Sequence, residues 1–182
     1  MLAQARTHTY LATLNATVIH ADGSKKILGD IDARKPWYLR FWEFLCFDQR
    51  GLVTNAGLNY LAQNFLGETD DVSLFKFHDC GTGTTTPAQT DTALQTPAGT
   101  ARVSGINTQS QSSSGTGSTT PAIVQSVATI SFTSSLAITE WGLFSASSGI
   151  TMFDHRTFAA INVVSGDSIQ FTYSLSIPGG GT

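Results

Sequence analysis

The stretch that decides the fold is SIQFTYSLSI, Ser168 to Ile177, in which polar and apolar residues alternate without a break. Successive side chains of a β-strand point to opposite faces, so the pattern predicts a strand with one buried and one solvated face. Burial of each of its five apolar side chains is worth about 1.5–3 kcal/mol, which is enough to fix the register of the strand.

Similar short segments separated by turn residues occur along much of the chain. They predict strands at Val72–His78, Ile123–Phe132, Leu136–Phe144, Ile150–Phe153 and Phe158–Val164. Leu14–Val18 also alternates, and Asp22-Gly23 offers a hairpin turn before a return strand at Lys26–Ile31. Many short strands separated by turns are typical of an antiparallel β-sandwich or a jelly-roll-like barrel, so the predicted class is mainly β.

One short helix is predicted at Thr54–Gly67. Thr54 or Asn55 can cap its start, and Gly67 suits the left-handed position after its end. The expected apolar stripe consists of Leu58, Leu61, Ala62 and Phe65. Two further stretches are expected outside the strands: a single helical turn at Asp91–Leu94, and a flexible loop at Ile106–Pro121, which is rich in Ser, Thr, Gln and Gly.

The length of 182 residues allows one full core with an arm. We therefore expect an N-terminal hairpin or arm with an aromatic segment at residues 1–50, and a β-sandwich domain with a leading helix at residues 51–182. The two cysteines, Cys46 and Cys80, are expected to be buried free thiols, and a disulfide between them is the alternative.

The low charge of the chain favours an assembled protein. Charged residues make up 13% of it, and no charged residue lies between Val103 and Thr139. A surface with few charges promotes association unless partners cover it. The net charge of −3 argues against a nucleic-acid partner, which would require a basic surface.

No membrane association is expected, because the aromatic stretch Trp37–Phe47 is too short to span a bilayer and contains Arg40 and Glu43. With no secretory signal in Met1–Leu14, synthesis in a cytoplasm is expected.

No motif predicts an enzyme, a cofactor or a metal site. Gly81-Thr82-Gly83-Thr84 lacks the lysine of a phosphate-binding loop and is expected to form a tight turn. His78-Asp79-Cys80 offers two soft ligands, whereas a structural zinc site uses four. We therefore nominate no catalytic, cofactor-binding or metal-binding residue.

Glu140 and Arg156 form the one predicted structural pair. Asp154-His155-Arg156 carries all the charge between Trp141 and Ala160. An ion pair between Glu140 and Arg156 across adjacent strands would fix strand register more than it would add stability.

An aromatic cluster near the N-terminus is the candidate docking segment. Its members are Trp37, Tyr38, Phe41, Trp42 and Phe44. Aromatic residues are common anchors at protein interfaces, but core packing and carbohydrate stacking are open alternatives.

Five motifs, taken in order, resemble a family of tailed-bacteriophage virion proteins. They are GLVTNAGLN at 51–59, HDCGTGT at 78–84 with DTAL at 91–94 and RV at 102–103, ITEWGLF at 138–144, MFDHRTF at 152–158, and SGDSI at 165–169. The resemblance covers residues 51–178. It implies a component of the virion, such as a head decoration protein, a fibre or a tail part.

The hypothesis from sequence is a non-enzymatic decoration (cement) protein on the outer phage head. It would bind the major capsid protein and itself, as a homodimer or homotrimer, and bridge capsomers. One alternative is a tail- or fibre-associated adaptor. Another is a carbohydrate-binding module that uses Trp37, Trp42 or Trp141 as stacking platforms.

Overall fold

The chain folds as two antiparallel five-stranded sheets packed against each other. A computed structural model describes residues 11–28, 52–66, 71–111, 122–149 and 151–177. The first sheet has the strand order β2-β1-β10-β7-β6 and the second has the order β3-β9-β8-β4-β5. The predicted class, a mainly β sandwich with one short helix, is confirmed.

Ten strands, one helix and one 3-10 turn follow one another along the described residues. They are β1 (Leu11–Ile19), β2 (Lys25–Leu28), β3 (Leu52–Val53), α1 (Asn55–Leu66), a 3-10 turn (Val72–Leu74), β4 (Phe77–Gly81), β5 (Val103–Ser104), β6 (Ile106–Gln111), β7 (Ala122–Ser131), β8 (Leu136–Phe144), β9 (Met152–Val163) and β10 (Ser168–Ile177).

Strand β10 has the predicted bounds and lies in the middle of the first sheet. It pairs with β1 on one side and with β7 on the other. Ile169, Phe171 and Tyr173 are buried between the sheets. The hydroxyl-rich face is half-buried, as expected for a central strand with neighbours on both sides.

The N-terminal hairpin belongs to the sandwich. Its turn contains Gly23, whose φ of 81° requires the left-handed region that glycine adopts without strain. Strand β1 pairs with β10 from Leu11 opposite Ser176 to Ile19 opposite Ser168. Residues 11–28 are therefore part of the first sheet, and residues 1–10 and 29–51 lie outside the described residues.

Helix α1 is confirmed, but its predicted apolar stripe is wrong in part. Thr54 caps the helix by accepting a hydrogen bond from the Gly57 amide at 3.2 Å, and its hydroxyl donates to the Met152 carbonyl. The face towards the core carries Gly57, Tyr60 and Leu61, whereas Leu58 is 46% exposed and Ala62 is exposed. Gly57 faces inwards, and a Cβ atom there would lie 2.8 Å from the Phe153 carbonyl oxygen, so the close packing requires glycine.

Four predictions of secondary structure need correction. The predicted strands 150–153 and 158–164 are one continuous strand, β9, because its central charged residues are buried and paired. Ile106–Gln111 is a strand and not a loop, since pairing with β7 compensates for its weak β propensity. Val72–Leu74 is a 3-10 turn, and Asp91–Leu94 forms no helical turn.

Aromatic rings fill the middle of the core. Trp141 from the second sheet stacks on Tyr173 from the first, with ring centroids 5.5 Å apart. Phe153 meets Tyr173 edge-on at 6.4 Å, and it also contacts Phe75 after the 3-10 turn. These rings bury large apolar areas between the two sheets and so contribute to holding them together.

Candidate functional site

Glu140 is the centre of a buried hydrogen-bonding cluster on β8. Its side chain is 0% exposed. One carboxylate oxygen accepts from the amides of Gly83 at 3.0 Å and Thr96 at 2.7 Å, and the other accepts from the Gln95 amide at 3.0 Å. Three amide donors, with the His155 imidazole as a fourth neighbour, satisfy a carboxyl group that acts only as an acceptor. These hydrogen bonds hold two loop segments, at Gly83 and at Gln95-Thr96, against the second sheet.

The glycines of Gly81-Thr82-Gly83-Thr84 are explained by this carboxylate. A Cβ atom on Gly81 would lie 2.4 Å from Glu140 Oε1, and one on Gly83 would lie 2.6 Å from it. Any side chain at either position would therefore displace the carboxylate. The segment is a loop that closes around the Glu140 side chain. The contact between this loop and Glu140 was not predicted from the sequence. The available signal was the pair of closely spaced glycines, because glycine is common where another group approaches the backbone closely.

His155 extends the cluster from β9. Its Nε2 atom lies 3.2 Å from Glu140 Oε2, and its Nδ1 atom lies 2.6 Å from Asp91 Oδ2. The Asp91 carboxylate also accepts from the Ala88 amide at 2.8 Å. Both ring nitrogens face carboxylate oxygens, an arrangement that suits an imidazolium donating from both. The cluster therefore ties the 81–97 region to β8 and β9 at several points.

The predicted pair of Glu140 and Arg156 is wrong. In the register of β8 and β9, Arg156 lies opposite Trp141 and Glu140 lies opposite Thr157. Neighbouring residues of a strand point to opposite faces, so the two charges are on different sides of the sheet. Arg156 instead contacts Asp154, with Nε to Oδ1 at 3.3 Å, and Glu140 contacts His155.

Asp154 and Arg156 form a second buried group beside Tyr173. Burial raises the pKa of Asp154, and the positive charge of Arg156 acts in the opposite direction. The guanidinium lies 5.7 Å from the centre of the Tyr173 ring. Burial, together with the nearby charge of Asp154, raises the pKa of Tyr173 well above its usual value. These groups stay inside the protein and do not reach its surface.

Trp141, His78 and Ser126 form a hydrogen-bonded chain between the sheets. The Trp141 indole N–H donates to His78 Nδ1 at 3.2 Å, and His78 Nε2 lies 2.9 Å from Ser126 Oγ. Burial lowers the pKa of His78 to about 3. Trp141 is 0% exposed, so its predicted use as a carbohydrate platform is wrong. Trp37 and Trp42 lie outside the described residues.

The remaining motif, His78-Asp79-Cys80, is buried. Asp79 contacts Arg102 Nε at 3.4 Å, and Arg102 lies over the Phe144 ring at 3.5 Å. Burial raises the pKa of Asp79, and burial with the charge of Asp79 raises the pKa of the free Cys80 thiol to about 12. Cys46 lies outside the described residues. Within the described ranges, no three His, Cys, Asp or Glu side chains are placed to hold a metal ion.

An apolar cavity of about 450 Å³ opens between the two sheets. Its walls include Leu61, Phe75, Leu143, Phe153 and Tyr173, and its rim includes residues of β6 and β7. This cavity is lined by side chains from α1, the 3-10 region, β8, β9 and β10. The sequence did not predict it, because its lining comes from segments far apart in the chain.

The predicted docking residues cannot be placed in this geometry. Trp37, Tyr38, Phe41, Trp42 and Phe44 all lie outside the described residues, so their docking role stays a prediction. In the part of the chain that the structure describes, no helix has the length and apolar character needed to cross a lipid bilayer. No known protein family, curated protein or solved structure matches the chain.

Proposed function

We propose that this chain is a non-enzymatic structural component of a tailed-phage particle, namely a decoration protein of the outer head. The ordered motifs of residues 51–178 support a virion component, and the low charge supports a protein that works in an assembly. The major capsid protein is the proposed partner, with self-association as a homodimer or homotrimer.

The buried charges are consistent with a structural role. Glu140, Asp154, His155 and Arg156 are each at most 3% exposed, and each contacts another charged side chain or backbone amides. Their hydrogen-bonding capacity serves to join loops to strands. An enzyme, by contrast, needs such groups to converge where a substrate can reach them.

The observation that carries the proposal is the contrast between the two edges of the first sheet. Edge strand β2 begins with Lys25 and Lys26, and such charges discourage pairing with another chain. Edge strand β6, INTQSQ, has no charged residue, and its Ile106 is 71% exposed. Among the described strands, β7 is the one neighbour of β6. An uncharged edge with an exposed apolar side chain is suited to contact with another protein.

A matched pair of variants tests this edge. Ile106→Lys places a charge on β6, whereas Ile27→Lys makes the same change on β2, where Ile27 is 59% exposed. Phage particles stripped of the protein are mixed with each purified variant, and the bound copies and the heat resistance of the particles are measured. We expect wild type and Ile27→Lys to bind in hundreds of copies and to restore heat resistance, and Ile106→Lys to bind at least tenfold less.

Three results would count against the proposal in different ways. Failure of the wild-type protein to bind any particle fraction would overturn the virion role itself. Binding of a few to tens of copies at the tail would replace decoration with the adaptor alternative. Wild-type binding by Ile106→Lys would leave the particle role intact and would exclude β6 as the contact edge.

A further inference from the structure

We propose that the cavity between the sheets is a binding site for a small apolar molecule that carries one hydrogen-bond acceptor, such as a carbonyl oxygen. The inference rests on the cavity and on Ser126, and it is independent of the proposed particle role. Three features carry it: the size of the cavity, its apolar walls and the buried hydroxyl of Ser126.

The size and the lining of the cavity fit a small ligand. Protein interiors are normally close-packed, with few voids larger than a water molecule. A volume of about 450 Å³ is within the range of small-molecule sites, roughly 300–1,000 Å³. The walls are mainly aromatic and aliphatic side chains, including Phe75, Phe153 and Tyr173. Water gains few hydrogen bonds against such walls, so an apolar molecule is favoured over water.

Polar residues lie at the rim, where the cavity meets solvent. Asn107, Thr108 and Gln109 of β6 are exposed and line the cavity on that side. Val124 of β7 is 41% exposed and also lines it. The cavity therefore has an accessible mouth next to β6 and an apolar interior.

Ser126 provides a buried donor in the interior. Tyr173, which also lines the cavity, has a buried hydroxyl with no hydrogen-bond partner among the described residues. Indole N–H groups only donate, so the contact with Trp141 makes His78 Nδ1 an acceptor. A neutral imidazole with an acceptor at Nδ1 carries its proton on Nε2, which then donates to Ser126 Oγ at 2.9 Å. The hydroxyl hydrogen of Ser126 is left to donate elsewhere, and the contact with His78 is its one side-chain hydrogen bond among the described residues.

The geometry therefore assigns the chemistry of the ligand. Ser126 is 3% exposed and lines the cavity, so a ligand acceptor that reaches it would bond to an oriented donor with little competition from water. A ligand with a donor at this point would gain less, because the Ser126 oxygen already accepts from His78. An acceptor-bearing aromatic or aliphatic molecule is the class that fits best.

The test compares two probes of nearly equal shape. Acetophenone has a carbonyl acceptor, and ethylbenzene has none. Each is titrated into the full chain, and affinity is measured by NMR chemical-shift changes of the cavity residues. We expect both probes to bind and acetophenone to bind about three- to tenfold more tightly, the gain of one net hydrogen bond. Ser126→Ala should abolish this preference while ethylbenzene still binds.

A second variant pair tests the location of the site. Val124→Trp places a large side chain at the mouth and should abolish binding of both probes. Val164→Trp makes the same change at a residue that is 54% exposed and does not line the cavity, so it should bind like the wild type. Failure of either probe to bind the wild type, unchanged binding by Val124→Trp, or an unchanged acetophenone preference in Ser126→Ala would each overturn the proposal.

Discussion

Replacement of Glu140 by glutamine tests the buried cluster with almost no change in shape. The side-chain amide keeps one carbonyl oxygen and puts an NH₂ group where the other oxygen was. In one orientation this NH₂ group faces the amides of Gly83 and Thr96, and in the other it faces the Gln95 amide and His155. In either orientation at least one backbone donor loses its acceptor inside the protein.

The expected loss of stability follows from these contacts. A buried donor without an acceptor costs about 1–3 kcal/mol, and hydrogen bonds to a charged group contribute about 1.5–3 kcal/mol each. Removal of one member of a buried charge pair typically costs about 3–5 kcal/mol. We therefore expect Glu140→Gln to lower the free energy of unfolding by about 3–5 kcal/mol. For a chain of 182 residues this corresponds to a fall in Tm of roughly 6–20 °C.

The assay combines urea unfolding with amide hydrogen exchange. Exchange at Gly83, Gln95 and Thr96 should accelerate in the variant even under native conditions, because these amides lose their shared acceptor. Asp22→Asn is the matched control: it makes the same chemical change at an exposed carboxylate that accepts from the Ser24 amide at 2.8 Å, and it should change stability little. If Glu140→Gln were as stable as this control, the reasoning about the cluster would be refuted.

Two other predictions concern Gly83 and His78, which both contact residues of strand β8. Gly83→Ala places a Cβ atom 2.6 Å from Glu140 Oε1, so we expect a loss of about 1–3 kcal/mol in urea unfolding, and wild-type stability would contradict the close fit. Burial lowers the pKa of His78 from 6.5 to about 3, so between these values the unfolded chain binds a proton that the folded protein does not. His78 therefore contributes stability that is fully present above about pH 6.5 and is lost as the pH falls towards 3, by up to about 1.4 kcal/mol per pH unit. His78→Asn, which keeps an acceptor for Trp141, should remove this slope, and equal slopes in both proteins would contradict the assignment.

Much of the fold was predictable because its signals are local. The alternation of Ser168–Ile177 requires only that successive side chains of one strand face opposite ways. The bounds of β8 were likewise predicted at Leu136–Phe144. The two adjacent turn residues Asp22 and Gly23 were enough to predict the hairpin. Such patterns predict elements without knowledge of what each element contacts.

The partners of the charged residues were not predictable in this way. The sequence suggested that Glu140 and Arg156 meet across adjacent strands, and they do lie on adjacent strands. A register irregularity between Ile138 and Glu140 helps to set which residues of β9 lie opposite. A shift of one position moves every side chain to the other face. The pairing thus depended on the register between β8 and β9. The pattern of residues within a single strand gives no information on that register.

The sequence by itself determined the β class of this protein, the bounds of its most regular strands and the position of its helix, because these follow from the periodicity and turn chemistry of neighbouring residues. Only the tertiary structure decided that Glu140 binds amides 44 to 57 residues away, and that two sheets leave a cavity ending at Ser126. Those features arise where distant segments meet, and their geometry depends on sheet register and packing as a whole.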